Sequence, residues 1–136
     1  MNIENIVHGQ CFVSVDDDII CIKAVGGFNL EGIILATQDI ASAIHSLDHK
    51  SFKLLADYSE LEGATPEAFD KLDEFNSWLH KQNMIAKAVV INSLVTLDIL
   101  GQRTPARNEH NDKNFESKVK AIEWLKEESQ VTHKNK

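Results

Sequence analysis

The chain has 136 residues, of which 43% are hydrophobic and 26% charged, as expected for one globular domain with a proper core. Its 21 acidic residues outnumber the 14 lysines and arginines, and the net charge of −7 opposes binding to nucleic acid or an anionic membrane. No stretch has the length of a membrane span, and the N-terminus lacks the features of a secretory signal. We therefore expect a cytoplasmic protein without membrane insertion, with residues 1–127 as a single domain, 128–136 as a frayed tail, and no cofactor or metal.

The first predicted element is an antiparallel hairpin. Two strand-like runs, Gln10 to Val15 and Ile19 to Val25, flank the three aspartates at 16–18. These aspartates lack the alternating spacing and downstream acid of a calcium loop, so a solvated turn is favoured. Cys11 and Cys21 lie in apolar strand contexts, which favours free buried thiols in a reducing compartment over a disulfide.

A helix follows the hairpin. Gly26-Gly27 ends the second strand, and Asn29 can cap a helix that runs to about Leu47 with one apolar face. The glycine pair precedes a helix, as in phosphate-binding loops, but neither a G-x-G-x-x-G nor a Walker pattern follows it. A plain turn is the better interpretation.

The segment from Ser51 to Phe69 contains the predicted site. Residues Phe52 to Ala56 indicate a buried strand ended by Asp57, Gly63 suits a reversing elbow, and Thr65-Pro66 is a strong helix start. Ligands of open α/β sheets bind outside the carboxyl ends of strands, where this elbow lies. The candidate partner-binding residues come from the elbow and the second helix: Asp57, Tyr58, Ser59, Glu62, Thr65, Glu67 and Trp78.

The second half of the chain alternates helices and strands. Helix two carries an apolar stripe formed by Phe69, Leu72, Phe75 and Leu79. The later predicted elements are a strand Met84 to Ile91, a helix with Leu94, Leu97 and Leu100 that Asn92-Ser93 can cap and that ends at Gly101, an edge strand Ala106 to His110, and a helix Lys113 to Glu127. This order predicts an α/β domain with a roughly five-stranded mixed sheet, an antiparallel first strand and about four helices mainly on one face.

Strand alternation predicts which sheet face is open. In three strands a wholly apolar set alternates with a set containing one lysine, namely Lys23, Lys53 or Lys87. If the apolar sets, among them Ala86, Ala88 and Val90, all lie under the helices, the lysines share an open face with Leu55 and Val89. An unpaired buried ammonium is very costly, so we expect a second subunit or a partner to cover this face, with a homodimer as the simpler case. The alternative is a doubly wound sheet whose lysines snorkel past an edge.

Five segments carry a resemblance to a known family: Leu55-Ala56-Asp57, Ser59, Leu61-Glu62-Gly63, Thr65-Pro66-Glu67-Ala68 and Ala121-Ile122-Glu123-Trp124-Leu125. Over nearly its whole length the chain resembles SpoIIAA-like proteins of the STAS (sulphate transporter and anti-sigma factor antagonist)/SEC14 group. The resemblance implies a non-enzymatic module that docks onto another protein and is switched by phosphorylation of a serine. In this sequence that serine falls on Glu67, so the resemblance implies docking without the phosphoserine motif. Ser59 and Thr65 remain as nearby hydroxyls, interpreted as a turn residue and a helix cap.

Two other classes of function stay open. An enzyme would need a nucleophile beside a base, or a metal cluster. His45 and His49, with Asp48 between them, have helical i,i+4 spacing but lie at a helix end, and Cys11 and Cys21 lack an electropositive neighbour. The SEC14 side of the resemblance implies binding of a small apolar or lipid ligand, although 136 residues leave little room for a deep cavity.

Overall fold

Five strands and four α-helices alternate along the chain in the computed structural model, which describes residues 6–109 and 111–134. The elements are β1 Gln10–Asp16, β2 Ile19–Phe28, α1 Leu30–His45, β3 Phe52–Ala64, α2 Pro66–Leu79, β4 Met84–Val90, α3 Leu94–Arg103, a 3-10 helix Pro105–Glu109, β5 Asp112–Phe115 and α4 Lys118–Lys134. The strands lie in the order β1-β2-β3-β4-β5, with β1 antiparallel to β2 and each later pair parallel. This confirms the predicted mixed sheet. Within the described residues, no helix combines the length and apolar character needed to cross a bilayer.

Local signals set the helix starts. Asn29, Thr65 and Ser93 each accept a hydrogen bond from the backbone N–H three residues further on, at 3.0, 3.3 and 3.2 Å. Each bond satisfies one of the N–H groups that the first turn of a helix leaves without a partner. Pro66 occupies the first turn of α2, where its missing N–H costs nothing. The three predicted caps are confirmed.

The helices cover both faces of the sheet, mainly one. Three helices, α1, α2 and α3, enclose the larger core, whose buried residues include Ile20, Ile22, Leu54, Ala56, Phe69, Phe75, Leu79 and Leu100. On the other face, α4 encloses a smaller core with Ile19, Leu55, Ala86, Ala88, Val90, Ala121 and Leu125. The face that carries Leu55 is therefore closed over β3 and β4.

The predicted open face is wrong for four of its five residues. Leu55 and Val89 are fully buried, and Lys53 and Lys87 are only 3% and 4% exposed. The error concerns which face of the sheet each side chain of β4 occupies. Lys87 lies opposite Leu54 in the paired strands, so the Lys87 side chain points towards α2 and Lys53 points to the other face. Lys23 alone among the five is partly exposed, and it forms an ion pair with Glu60. The homodimer stays a prediction, but it needs another surface.

Partners in distant elements neutralise the two buried lysines. The Lys53 ammonium lies 2.9 Å from the carboxylate of Asp18 in the hairpin turn. The Lys87 ammonium donates to the side-chain oxygen of Asn76 at 2.9 Å and lies 3.8 Å from the Asp112 carboxylate. Because burying an unpaired charge is costly, these pairs explain how both lysines can be buried.

Two boundaries in the last third of the chain differ from the sequence prediction. The predicted edge strand Ala106 to His110 is instead the 3-10 helix, and β5 begins at Asp112 (His110 itself lies outside the described residues). The last helix begins at Lys118, five residues later than predicted, and continues to Lys134, so most of the predicted tail is helical. The polar run at 112–115 shows no strand alternation; it becomes a strand because it pairs with β4.

Candidate functional site

β3 runs through the predicted elbow. Asp57 does not end the strand, which continues to Ala64 beside β2. Lys23 of β2 lies opposite Asp57, and Val25, two residues later, lies opposite Glu60, which is three residues after Asp57. β3 therefore has one extra residue at this point. Such β-bulges bend and twist a strand, and they occur often beside functional sites. The reversal predicted from the sequence is thus a bent strand that protrudes beyond the end of β4.

The side chains of Asp57 and Ser59 brace this bulge. Asp57 is buried, and its Oδ1 accepts hydrogen bonds from the Ser59 backbone N–H at 3.0 Å and from the Ser59 hydroxyl at 2.6 Å. Tyr58 is buried on the other side of the strand, where desolvation raises the pKa of its phenol. Of these three predicted site residues, Ser59 alone is exposed. Asp57 and Tyr58 therefore support the site from the interior and cannot contact a partner directly.

A shallow groove lies where β2 and β3 lead into α1 and α2. It has a volume of about 500 Å³, and its lining includes His8, Asn29, Glu62 and Thr65. The Thr65 N–H donates to the Phe28 carbonyl at 2.9 Å, which holds the starts of the two helices side by side. Glu62 is exposed and gives the groove a carboxylate.

The helix α3 extends this surface with apolar side chains. Arg103, at the end of α3, donates to the Pro66 carbonyl at 3.1 Å and to the Asp70 carboxylate at 3.2 Å, so α3 ends beside the start of α2. Leu94 and Val95 are 82% and 70% exposed. We define the carboxyl-end surface as the exposed residues of this region: Ser59, Glu60, Glu62, Glu67, Leu94, Val95 and Ile99.

The exposed residues of α3 were not predicted. The sequence assigns Leu94 to an apolar stripe with Leu97 and Leu100, but only the last two pack on the core. The adjacent pair Leu94-Val95 is only a weak signal of this exposure, because neighbouring positions on a helix lie about 100° apart and only a wide apolar face buries both.

Trp78 does not belong to the carboxyl-end surface. It lies twelve residues after Pro66, and a helix rises about 1.5 Å per residue, so roughly 18 Å separate it from the start of α2. There it stacks on Phe75, with ring centroids 5.3 Å apart, and meets the His45 ring edge-on at 6.1 Å. Its partly buried position is that of a core-edge residue.

The histidines that the enzyme hypothesis considered lie at the amino end of β3, away from the carboxyl-end surface. His45, Asp48 and His49 line a polar groove of about 380 Å³. The His49 carbonyl accepts a hydrogen bond from the Asn83 side chain at 2.6 Å, so its backbone is fixed in the turn. In the part of the chain that the structure describes, no three metal-ligating side chains are grouped to hold an ion.

Both cysteines are free thiols that resist ionisation. Burial, and to a lesser extent the Asp39 charge, raise the pKa of the Cys11 thiol to about 11. Burial also raises the pKa of Cys21, although the nearby Lys118 charge acts in the other direction. Because the thiolate is the nucleophile, both residues are poorly suited to covalent catalysis at neutral pH.

A buried ionic cluster, which the sequence analysis missed, joins β5 to the core. The Asp112 carboxylate lies 2.7 Å from the Arg107 guanidinium and 3.8 Å from the Lys87 ammonium. Arg107 also donates to the Asn114 side chain, and Lys87 to that of Asn76. Two cations thus share one carboxylate. Burial, with the Arg107 charge, lowers the pKa of Lys87 to about 8, although the attraction of Asp112 opposes the shift.

Comparisons with known proteins identify the fold. No protein-family model matches this chain, and no curated protein matches it significantly. Among solved structures, an uncharacterised DUF3478-family protein with a SpoIIAA-like fold from Shewanella loihica PV-4 is 22% identical, with a TM-score of 0.60 over 88% of this chain and 94% of that one. An anti-sigma factor antagonist from Mycobacterium paratuberculosis is 15% identical, with a TM-score of 0.66 over 88% and 95% of the two chains.

The anti-sigma factor antagonist SpoIIAA in its unphosphorylated form is 10% identical, with a TM-score of 0.55 over 88% of this chain and 98% of that one. The architecture is therefore that of an α/β protein with the SpoIIAA-like (STAS) fold. This confirms the fold that the sequence resemblance predicts.

Proposed function

We propose that this chain is a non-enzymatic module that docks onto another protein through the carboxyl-end surface. The observation that carries the proposal is the exposure of Leu94 and Val95 at the start of α3, which follows the carboxyl end of β4. Two of the similar structures are anti-sigma factor antagonists, which favours a role in protein binding. The free thiols fit a reducing compartment, and we place the module in the cytoplasm.

The chemistry of the surface specifies the partner. Fully burying an exposed leucine or valine contributes about 1.5–3 kcal/mol, so Leu94 and Val95 can anchor an apolar contact. Glu62 and Glu67 are exposed elsewhere on the carboxyl-end surface and favour a basic rim on the partner. Complementary charge of this kind raises the association rate and selects the partner more than it raises affinity.

A phosphorylation switch is not part of the proposal, because the nearby hydroxyls are engaged. Ser59 donates its hydroxyl to the buried Asp57 carboxylate, which would repel a phosphate at that position. Thr65 uses its hydroxyl oxygen to cap α2. Glu67, where the family resemblance places the modified serine, is an acidic residue in the first turn of the helix and has no hydroxyl to modify.

The alternative of a bound lipid or small apolar ligand has less support. An apolar cavity lies between the hairpin, α1 and α2, and its lining includes Cys11, Ile40, Tyr58 and Phe69. Its volume of about 40 Å³ is much smaller than the roughly 300–1,000 Å³ of ordinary ligand pockets. A site of this size suits a water molecule or a methyl group, so we favour protein docking.

The test begins with native mass spectrometry of the full chain, gently purified from its own host. A docking module should retain a protein, a lipid carrier should retain extractable lipid, and an enzyme should retain neither. The affinity of the retained protein is then measured for Leu94→Lys/Val95→Lys and for Glu62→Lys/Glu67→Lys. We expect at least about tenfold weaker binding for the first pair, and slower, less salt-sensitive association for the second.

The matched control is Val15→Lys, which replaces an exposed valine beside the β1–β2 turn at the opposite end of the sheet and should leave binding unchanged. Retained lipid without protein, or equal affinity for the surface variants and the control, would contradict the proposal. Turnover of a small substrate that is abolished by Asp57→Asn or Ser59→Ala would replace it with an enzymatic function.

A further inference from the structure

The two outer strands of the sheet differ in length and charge. β5 has four residues, including Asp112 and Lys113. β1 has seven residues, and its first six, Gln10–Val15, carry no charge. Short strands and charged side chains protect a sheet edge from pairing with other chains, whereas a long uncharged edge is a template for such pairing. The β5 edge is therefore protected against pairing with another chain, whereas the β1 edge is open to it.

The outer edge of β1 has free hydrogen-bonding groups. In residues 6–109 and 111–134, the strand pairs only with β2, and no other backbone group bonds to it. Asp16 and Ile19 form the hydrogen-bonded pair that closes the two-residue turn. Hydrogen-bonded pairs alternate with non-bonded pairs along an antiparallel ladder, so Asp16, Ser14, Phe12 and Gln10 bond to β2 and the residues between them do not. The N–H and C=O groups of Cys11, Val13 and Val15 therefore point outward.

Apolar side chains border this edge on both faces of the sheet. Phe12 and Val15 are 57% and 44% exposed and lie on opposite faces, because side chains alternate along a strand. Leu35 on α1 is 48% exposed. It lies one turn before Asp39, whose charge acts on Cys11 of β1, so Leu35 is on the side of α1 nearest this strand. We call Phe12, Val15, Leu35 and the outward backbone groups the β1 edge.

We propose that the β1 edge pairs with the β1 edge of a second copy of this chain, in a symmetric antiparallel dimer with a continuous sheet. A register centred on Val13 sets Cys11 opposite Val15 of the partner subunit and forms about six new backbone hydrogen bonds. The same register sets the Asp16 carboxylate opposite the partner subunit's Gln10, an amide that can donate to it. The contact is isologous, so it closes at two copies.

A second copy fits this edge better than a different protein because the strip is self-complementary and uncharged. Each chain has a net charge of −7, so two copies can approach only through a surface that adds no like charges. Gln10–Val15 is such a surface. One strand pair buries less than the roughly 1,200–2,000 Å² of a standard stable interface, even with its flanking side chains, so we expect a dissociation constant in the micromolar range.

The dimer does not depend on the proposed docking function. β1 lies at the edge of the sheet, with β2 and β3 between it and β4, which leads into α3. Pairing at β1 therefore leaves both carboxyl-end surfaces free, and the dimer presents two of them. The interface also differs from the sheet face that the sequence predicts, which α4 covers.

Sedimentation equilibrium and light scattering of the full chain, from about 1 to 200 µM, test the proposal. The mass should rise towards twice the 15.3 kDa of one chain. Phe12→Lys/Val15→Lys places charges on the edge without disturbing a buried site, and we expect it to raise the dissociation constant at least roughly a hundredfold. Leu94→Lys is the matched control and should dimerise normally.

Amide hydrogen exchange locates the interface. The Cys11, Val13 and Val15 amides should exchange more slowly as concentration rises, whereas the Phe12 and Ser14 amides, bonded to β2, should be slow at every concentration. A monomer at the highest concentration would overturn the proposal. A dimer that survives Phe12→Lys/Val15→Lys, or one whose outward amides exchange at the same rate at every concentration, would also overturn it.

Discussion

Replacement of Lys87 by methionine should change the pH dependence of stability in a way that the buried ionic cluster specifies. Lys87 is 4% exposed and shares the Asp112 carboxylate with Arg107. Desolvation is the main cause that lowers its pKa from 10.5 to about 8, and the Arg107 charge adds to it. Methionine has a similar length and carries no charge, so it removes the titrating group while filling most of the space.

The sign and size of the effect follow from proton linkage. Between pH 8 and 10.5 the unfolded chain keeps the Lys87 proton while the folded chain loses it, so the unfolded state binds more protons. The Lys87 contribution to the free energy of unfolding therefore rises with pH across this window and is constant below it. At about 1.4 kcal/mol per pH unit, a shift from 10.5 to about 8 corresponds to roughly 3 kcal/mol.

Other groups act in the opposite direction in the same range. The pKa values of Cys11, Cys21 and Tyr58 are raised by burial, so the folded state holds these protons longer than the unfolded state does. Their contributions make stability fall as the pH rises through the ordinary pKa of each group. They are present in both the wild type and the variant, so the difference between the two proteins isolates Lys87.

The assay is guanidinium unfolding followed by fluorescence of Trp78 and Trp124, at pH values from about 7 to 10.5. The wild-type free energy of unfolding minus that of Lys87→Met should rise by about 3 kcal/mol over this range. Lys120→Met, at an exposed lysine, should give a flat difference. A flat difference for Lys87→Met would refute the reasoning, because it would mean that Lys87 has the same pKa in the folded and unfolded chain.

Three further predictions use the same unfolding assay. Thr65→Ala should lower the free energy of unfolding by about 1 kcal/mol and Thr65→Ser should leave it nearly unchanged, since the hydroxyl caps α2; equal losses would contradict the cap. Gly32→Ala would drive a Cβ into the His8 carbonyl and should cost about 1–3 kcal/mol, whereas Gly101→Ala, with open space around it, should gain about 0.5–1 kcal/mol. Leu125→Ala should cost about 2–5 kcal/mol if α4 seals the second face; a loss below about 1 kcal/mol would contradict that packing.

The features predicted correctly from the sequence are those that a few neighbouring residues determine. Asn29, Thr65 and Ser93 cap helices through bonds to residues three positions away, so the signal and its partner lie in one short segment. The hairpin turn at 16–18 is equally local. These elements, with the family resemblance, were sufficient to predict the SpoIIAA-like fold.

The features that were missed depend on pairing between distant segments. Alternation within β4 divides its residues into two sets, but it does not show which set shares a sheet face with Leu54 of β3. The pairing of Lys87 with Leu54 shows that it is the set containing Lys87. β5 has no alternation of its own and forms through its pairing with β4, next to which Asp112 contacts Lys87 and Arg107. In the candidate site, Asp57 is buried just before the bulge and accepts two hydrogen bonds from Ser59, and no local pattern indicates that the strand continues past it.

The two buried lysines show why a charge in an apolar strand is weak support for an open face. Lys53 is covered because the hairpin turn that leads into the neighbouring strand β2 brings Asp18 to 2.9 Å from its ammonium. The Asp18 backbone carbonyl also accepts the Lys53 N–H at 2.9 Å, so one residue satisfies both the backbone and the side chain. An aspartate that the sequence assigns only to a solvated turn therefore also closes the end of the sheet. An interface is better sought where backbone groups and apolar side chains are both left open, and in the described residues the β1 edge meets that condition whereas the face under α4 does not.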